Sequence, residues 1–238
     1  DVLGSRGLGD VYKRQDTYYI IRFDGVSMTT RFLKQNPRKD LFYKVMAEAI
    51  QMFVSTDSMN MVLVYSATDE VSVLISDKYL KEQNYRLEKV VSILTARLTY
   101  AFCMEVQKNN FITNNRIYSF DGRMIELNSK DEILEYFVSR QAFTICRILE
   151  ILSKKNYGEA DFTDSALLIE KLNKDDAFSG ISDHERYGLL WGKGEEISIF
   201  EFDKDRDKLK SIINSLNLIE INKNHKEAEK RKRKVKVK

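Results

Sequence analysis

The chain has 238 residues, 43 % of them hydrophobic, and 39 lysines and arginines against 36 aspartates and glutamates give a net charge of +3. This length is enough for one large core, and no apolar run approaches the roughly 20 residues that a membrane span requires. Only two histidines occur, one of them near the end of the chain, which excludes a Cys/His zinc cluster, and no Gly-x-x-x-x-Gly-Lys-Ser/Thr loop indicates a P-loop NTPase.

The two ends of the chain differ in composition from the rest. Residues 1–15 resemble a translated adapter sequence and are expected to be a non-native extension. Residues 223–238 hold nine lysines and arginines against two glutamates, so the remainder of the chain is net acidic. Such a basic, disordered tail favours RNA, with Lys230, Arg231 and Arg233 as contacts, and a solubilising or sorting tail is the alternative.

The cysteines and the N-terminal residues bear on location. Cys103 and Cys146 lie in apolar, helix-like contexts and are expected to be buried thiols, which favours a reducing compartment. The chain also lacks the charged and then apolar plan of a signal peptide. We therefore expect a cytoplasmic protein without a membrane segment.

The first elements are a strand, a helix and a hairpin. Residues 17–23 are mostly aromatic or β-branched, as in a strand, and Asp24-Gly25 follows them. Residues 40–54 carry apolar side chains at helical spacing. The hairpin at residues 61–75 has two apolar runs around a polar tip, residues 67–70, in which Asp69 and Glu70 are adjacent.

The pattern continues with a helix at residues 85–107, a strand at 116–127 broken at 119–123, and a second long helix at 130–152. The order β-α-β-β-α-β-α predicts an α+β fold, the ferredoxin-like antiparallel sheet with packed helices that polymerase palm domains have. We expect a palm-like catalytic domain at 16–152 and a small C-terminal α/β appendage at 153–222. This appendage would contain a helix near 164–172, a hairpin of 187–191 with 197–202, and a helix at 204–215.

Two acidic strand ends suggest metal chemistry on phosphates. If the first strand pairs with the hairpin, the carboxylates of Asp24 and Asp69 converge at one end of the sheet. Carboxylate oxygens are hard ligands that suit Mg²⁺, with triphosphate oxygens and water completing the octahedron. Arg86 and Lys89 lie near a helix beginning, where the helix dipole disfavours cations, so either an anion is close by or both are solvent-exposed.

Six short motifs follow one another along roughly residues 17–200. They are Ile20-Ile21-Arg22-Phe23-Asp24-Gly25, Tyr65-x-x-Thr68-Asp69-Glu70, Arg86-x-x-Lys89-Val-Val-Ser92, Phe120-Asp121-Gly122-Arg123, Tyr136-Phe137-x-x-Arg140-Gln141 and Arg186-Tyr-Gly188-x-x-Trp191. In order and spacing they resemble the tRNA-histidine guanylyltransferase superfamily, whose members add nucleotides in the 3′-to-5′ direction and are built on a palm domain.

The resemblance implies roles for individual residues. Asp24, Asp69 and Glu70 would be catalytic, and Asp24, Asp69 and the Gly25 carbonyl would hold two Mg²⁺ ions. ATP and GTP would be substrates, bound through Arg22, Thr68, Arg86, Lys89, Ser92 and Arg123. Arg140 and Gln141 would contact RNA, although pairing of Arg140 with a carboxylate of its own helix, Glu135 or Glu150, is the alternative.

The residues after Gln141 depart from the superfamily. The His-Ile-Asn-Asn run of the guanylyltransferases proper is missing, and Phe143 stands where the guanylyltransferase-like branch has an aspartate. We therefore expect a divergent member of that branch, a Mg²⁺-dependent nucleotidyltransferase that extends or repairs the 5′ end of tRNA. The resemblance also implies a homo-tetramer. The alternatives are a palm-fold protein that binds nucleotide or RNA without polymerising, and a nucleotide-cyclase-like enzyme acting on free triphosphate.

Overall fold

The computed structural model describes residues 17–28, 39–56, 61–111, 117–157, 165–178 and 180–216. Residues 1–15 and the basic tail, with Lys230, Arg231 and Arg233, lie outside these ranges. The elements in chain order are β1 (Tyr18–Gly25), α1 (Lys39–Thr56), β2 (Met61–Ala67), β3 (Glu70–Ile75), α2 (Asp77–Glu82), α3 (Leu87–Lys108), β4 (Phe120–Leu127), α4 (Lys130–Tyr157), α5 (Ser165–Lys174), α6 (Asp183–Tyr187), β5 (Leu189–Gly192), β6 (Glu195–Ile197) and α7 (Arg206–Ser215). The predicted order up to α4 is confirmed, with α2 as one additional short helix.

The strands form one six-stranded sheet in the order β4-β1-β3-β2-β5-β6. Every neighbouring pair is antiparallel, so the α+β class with an antiparallel, palm-like sheet is confirmed. The hairpin that we expected at 187–191 and 197–202 is formed by β5 and β6, so the predicted bounds of its second strand are wrong, because β6 ends at residue 197. This hairpin pairs with β2 of the main sheet, where Tyr65 lies opposite Leu190. The division of the chain at residue 152 stays a prediction.

Side chains of the sheet are buried on both faces, because successive residues of a strand point to opposite sides. On one face, Tyr19, Ile21 and Phe23 of β1 pack with α1 and α3, and the Phe23 and Phe53 rings are 6.0 Å apart. On the other face, Ile20 packs with residues of α4 and α7, including Phe137. Each large apolar side chain buried in this way contributes roughly 1.5–3 kcal/mol.

A third, smaller cluster joins the C-terminal half of α4 to the segment after it. Leu149 and Leu152 pack with Leu172 of α5 and with Phe178. This contact shows why α4 continues past residue 152, where the sequence pattern suggested its end.

The break that we predicted at residues 119–123 is wrong. Strand β4 is continuous and pairs with β1 from Tyr18 opposite Leu127 to Gly25 opposite Phe120. Glycine is needed at position 122 for the packing of α3, and not for a turn, because a Cβ there would lie 2.2 Å from Thr95 Oγ1 of α3. The missing side chain lets α3 lie directly against β4.

The sequence predicted two buried cysteines and no membrane segment. Both cysteines are free thiols, but Cys146 is exposed on α4 and Cys103 is only partly buried, so the expected burial of Cys146 is wrong. Within the described ranges, none of the helices combines the length and apolar character that crossing a bilayer requires.

Candidate active site

The end of β1 and the turn of the β2–β3 hairpin meet at one end of the sheet. Asp24 lies opposite Glu70 of β3 and opposite Asp121 of β4. The backbone N–H of Gly25 donates to the Asp69 carbonyl oxygen at 2.9 Å. The predicted pairing of β1 with the hairpin is therefore confirmed, and it brings Asp24 and Asp69 to the same sheet end.

Gly25 makes the close approach of these two segments feasible. A Cβ at this position would lie 2.6 Å from Met28 Sδ and 3.1 Å from the Cβ of Asp69. Any larger residue would push the Asp69 turn away from β1, so the absence of a side chain at Gly25 positions the two carboxylate-bearing segments against each other.

The hairpin turn that carries Asp69 is strained. Thr68 has φ 55°, in the left-handed region that β-branched residues avoid. Its hydroxyl donates to the Ala67 carbonyl oxygen at 2.6 Å. Such a conformation costs of the order of 1–3 kcal/mol and is typical of functional sites. The Asp69 that follows is 5 % exposed, whereas Asp24 is exposed to solvent.

Two arginines lie beside Asp24 on the same face of the sheet. Arg22 precedes Asp24 by two residues and lies opposite Arg123 of β4. The guanidinium of Arg123 donates from Nε and Nη2 to Asp121 Oδ2, at 3.0 and 2.8 Å. The two cations next to Asp24 can offset the charge of bound phosphates.

Glu70 is bound by Arg140 of α4. Nε of Arg140 donates to Oε1 of Glu70 at 2.8 Å and Nη2 donates to Oε2 at 2.5 Å. Burial raises the pKa of Glu70 above its ordinary value, and the hydrogen bonds and charge of Arg140 oppose that rise. The Arg140 guanidinium also stacks on the Phe143 ring, with Cζ 4.7 Å from the ring centroid.

This pairing corrects the alternative partners that we considered for Arg140. Glu135 pairs with Arg206, and Glu150 pairs with Arg147 and Lys154. The partner of Arg140 therefore comes from the hairpin turn instead of from its own helix.

Gln141 has a structural role, which contradicts the expected RNA contact. Its side chain is 1 % exposed. The amide donates to the Tyr187 and Phe200 carbonyl oxygens at 3.2 and 2.9 Å, and it accepts from the Phe202 N–H at 2.6 Å. A side chain with all these partners inside the fold has no surface for RNA.

The structure does not bring Arg86, Lys89 and Ser92 to Asp24. Helix α3 runs antiparallel to β4, because Thr99 Oγ1 accepts from the Phe120 N–H whereas Thr95 lies at Gly122. At 1.5 Å per residue, Arg86 is therefore about 20 Å along the helix from the Asp24 end, Lys89 about 15 Å and Ser92 about 10 Å. The helix also packs on the opposite face of the sheet from Arg22 and Arg123.

Asp24, Asp69 and the Gly25 carbonyl fit a magnesium site in their chemistry. Among the residues that the structure describes, no group of three or more His, Cys, Asp or Glu side chains is arranged around one metal position. Mg²⁺ needs fewer protein ligands than that, because it is usually held by one or two carboxylates together with substrate phosphates and water.

The sequence interpretation included two residues near the site in its motifs but assigned no role to either of them. Asp121 pairs with Arg123, and Tyr136 Oη is 2.9 Å from Ser72 Oγ on β3. Their spacing could have indicated these positions. Asp121 and Arg123 are two residues apart in a strand, and Tyr136 and Arg140 are four residues apart in a helix, so each pair lies on one face of its element.

The antiparallel sheet with helices on both faces, and two carboxylates on neighbouring segments at one end, defines a palm-type domain. The model of the family described as Thg1, tRNAHis guanylyltransferase, matches residues 10–128. The chain therefore belongs to the tRNAHis guanylyltransferase family, whose members are nucleotidyltransferases.

Several solved structures share the fold of this chain. A bacterial tRNA(His) guanylyltransferase (Thg1)-like protein in complex with ATP has a TM-score of 0.69 at 19 % identity, covering 86 % of this chain and 93 % of that one. The bacterial Thg1-like protein in complex with GTP has a TM-score of 0.67 at 18 % identity with the same coverage of 86 % and 93 %. The tRNA(His) guanylyltransferase of Saccharomyces cerevisiae has a TM-score of 0.65 at 17 % identity, covering 82 % and 96 %. Comparison with curated protein sequences gave no significant match.

Proposed function

We propose that this chain is a Mg²⁺-dependent nucleotidyltransferase that adds nucleotides in the 3′-to-5′ direction to the 5′ end of tRNA. Family membership supports nucleotidyl transfer. The observation that carries the proposal is the meeting of the Asp24 strand end with the Asp69 turn, joined by the 2.9 Å hydrogen bond from Gly25. The bacterial structures of similar fold bind ATP and GTP, and we propose the same substrates here.

The proposed reaction has two stages. An oxygen of the tRNA 5′-phosphate first bonds to the α-phosphorus of a nucleoside triphosphate, and the bond from that phosphorus to the β-phosphate breaks to release pyrophosphate. The 3′-hydroxyl oxygen of an incoming nucleoside triphosphate then bonds to the phosphorus of that activated end, and the bond to the activating nucleotide breaks to release a monophosphate. The strand thereby gains one residue at its 5′ end.

The residues at the sheet end have different roles in this reaction. Asp24, Asp69 and the Gly25 carbonyl would hold two Mg²⁺ ions, which when bound stabilise the attacking and departing oxygens. Arg22 and Arg123 bind phosphate oxygens and offset their charge, and the Thr68 segment lies against the nucleotide. Binding and orienting the reactants in this way supplies most of the catalysis in phosphoryl transfer.

Incorporation of labelled GTP and ATP into a tRNA that lacks its 5′ nucleotide tests the proposal. We expect Mg²⁺-dependent addition, reduced at least about 100-fold by Asp24→Asn or Asp69→Asn, because each substitution removes a charged ligand without changing size. Asp207→Asn, an exposed aspartate of α7, is the matched control and should retain full activity.

Other outcomes identify the alternatives. Intact triphosphate binding without addition to RNA would indicate a binding protein, and a cyclised product formed from free triphosphate would indicate a cyclase. Light scattering during gel filtration tests the homo-tetramer that we also propose.

A further inference from the structure

We propose that Arg140 is a positioning residue that withholds Glu70 from the metal site proposed above at Asp24 and Asp69. The proposal deepens the proposed function, since it concerns the same site, and it replaces the role in RNA binding that the sequence suggested for Arg140.

The first argument is the geometry of the Arg140–Glu70 pair. The guanidinium binds both carboxylate oxygens, at 2.8 and 2.5 Å. The two side chains are only 19 % and 18 % exposed, so little water competes for these hydrogen bonds. A two-pronged pair of this kind fixes the orientation of the carboxylate as well as its charge.

The second argument is that Arg140 is itself held in place. The Thr144 hydroxyl donates to the Arg140 carbonyl oxygen at 3.0 Å. One turn earlier on α4, Tyr136 contacts Ser72 of β3, and the neighbouring Gln141 is fixed by buried hydrogen bonds. With Phe143 stacked on the guanidinium, the helix presents Arg140 to β3 in one defined position.

The third argument is the position of Glu70 itself. It follows Asp69 directly and lies opposite Asp24 in the β1–β3 register, so three carboxylates occupy one sheet end besides Asp121, which Arg123 binds. Like charges this close repel one another. A free third carboxylate would also compete with substrate phosphates for the few coordination positions that Mg²⁺ leaves open to them. Pairing Glu70 with an arginine offsets the repulsion and keeps the Glu70 carboxylate from competing with phosphates for Mg²⁺.

Substitution of Arg140 by methionine tests this role. Removing a cation and freeing a carboxylate should tighten Mn²⁺ binding about tenfold, measured by electron paramagnetic resonance on the full chain. Nucleotide addition should become slower at saturating Mg²⁺, and the tRNA dissociation constant should stay within about twofold. General destabilisation would not tighten cation binding, so this combination distinguishes positioning from a merely structural role.

Further variants sharpen the test. Glu70→Gln should not tighten Mn²⁺ binding, and Arg140→Met with Glu70→Gln should lose the tightening, because the carboxylate responsible is gone. Arg140→Lys keeps the charge but loses the two-pronged geometry and should give intermediate values, and it serves if the methionine variant does not fold. Arg147→Met, which breaks a surface pair with Glu150 on the same helix, is the matched control.

The outcomes separate this inference from the proposed function. Unchanged Mn²⁺ affinity in both Arg140 variants would overturn the inference, and a raised tRNA dissociation constant with unchanged Mn²⁺ affinity would restore the role in RNA binding. If the wild-type chain binds Mn²⁺ but adds no nucleotide, the proposed function fails. The inference would still stand in that case if Arg140→Met tightens Mn²⁺ binding.

Discussion

At the scale of single residues, His184 is neutral because of where it lies. Its ring on α6 packs against the edge of Tyr43 on α1, with centroids 5.6 Å apart. Burial lowers the pKa of His184 from 6.5 to about 4. The folded state therefore disfavours the imidazolium, and protonation must oppose folding.

We expect this histidine to contribute acid sensitivity. The stability due to neutral His184 is complete above pH 6.5 and is lost as the pH falls from 6.5 to about 4, by roughly 3 kcal/mol in total. Urea unfolding of the wild type and His184→Gln at several pH values checks this, since the difference between their free energies of unfolding should shrink toward pH 4. A constant difference would contradict the assignment.

Gly25 carries a second prediction at this scale. Gly25→Ala should destabilise the fold by roughly 1–3 kcal/mol, because the new methyl group overlaps Met28 Sδ and approaches Asp69 Cβ. Nucleotide addition should fall by more than thermal unfolding explains, since the Asp69 turn is displaced. Val26→Ala next to it is the control, because Val26 is 47 % exposed. Full activity in Gly25→Ala would show that the close approach is dispensable.

At the scale of elements, α4 connects the sheet to the C-terminal segment. Its residues contact β3 through Tyr136 and Arg140 and hold the backbone around Phe200 and Phe202 through Gln141. One helix thus positions a residue at the Asp69 turn and a residue in the core, one position apart in the sequence.

We expect Gln141→Ala to cost about 2–4 kcal/mol of folding free energy, since it removes two buried hydrogen bonds and one partly buried hydrogen bond and leaves their partners unsatisfied. Its effect on tRNA affinity, measured well below the unfolding temperature, should be negligible. Gln51→Ala, an exposed glutamine on α1, should change neither quantity. A specific loss of tRNA affinity in Gln141→Ala would reinstate the RNA contact.

At the scale of the whole molecule, charge is divided between a net acidic chain body and the basic residues 223–238. Replacing the nine lysines and arginines of that segment by glutamine should weaken tRNA binding at low salt by at least about tenfold. It should also flatten the dependence of affinity on salt, measured by filter binding. Thermal unfolding of residues 17–216 should not change. An unaltered salt dependence would indicate a tail that does not contact RNA.

Part of the site could be predicted because it depends on short patterns. The positions of Asp24 at a strand end and Asp69 at a hairpin tip are predictable from strand alternation and turn position. The antiparallel pairing that joins the two segments was confirmed. The position of Arg86 was not predictable in this way, because it depends on the direction in which α3 packs across β4. The need for glycine at position 122 was not predictable either, because the atom that a Cβ there would overlap belongs to Thr95 on α3.

The sequence by itself determined the order of the elements, the antiparallel sheet and the family, because alternation, helical spacing and motif order are local properties of the chain. The tertiary structure alone decided that β5 lies beside β2, that Gln141 is buried, and that Arg140 binds Glu70, which is 70 residues away. These contacts join residues far apart in sequence, and they form only where two packed surfaces leave a shared, water-poor space. A local sequence pattern does not indicate which distant residue a side chain will contact once the elements have packed.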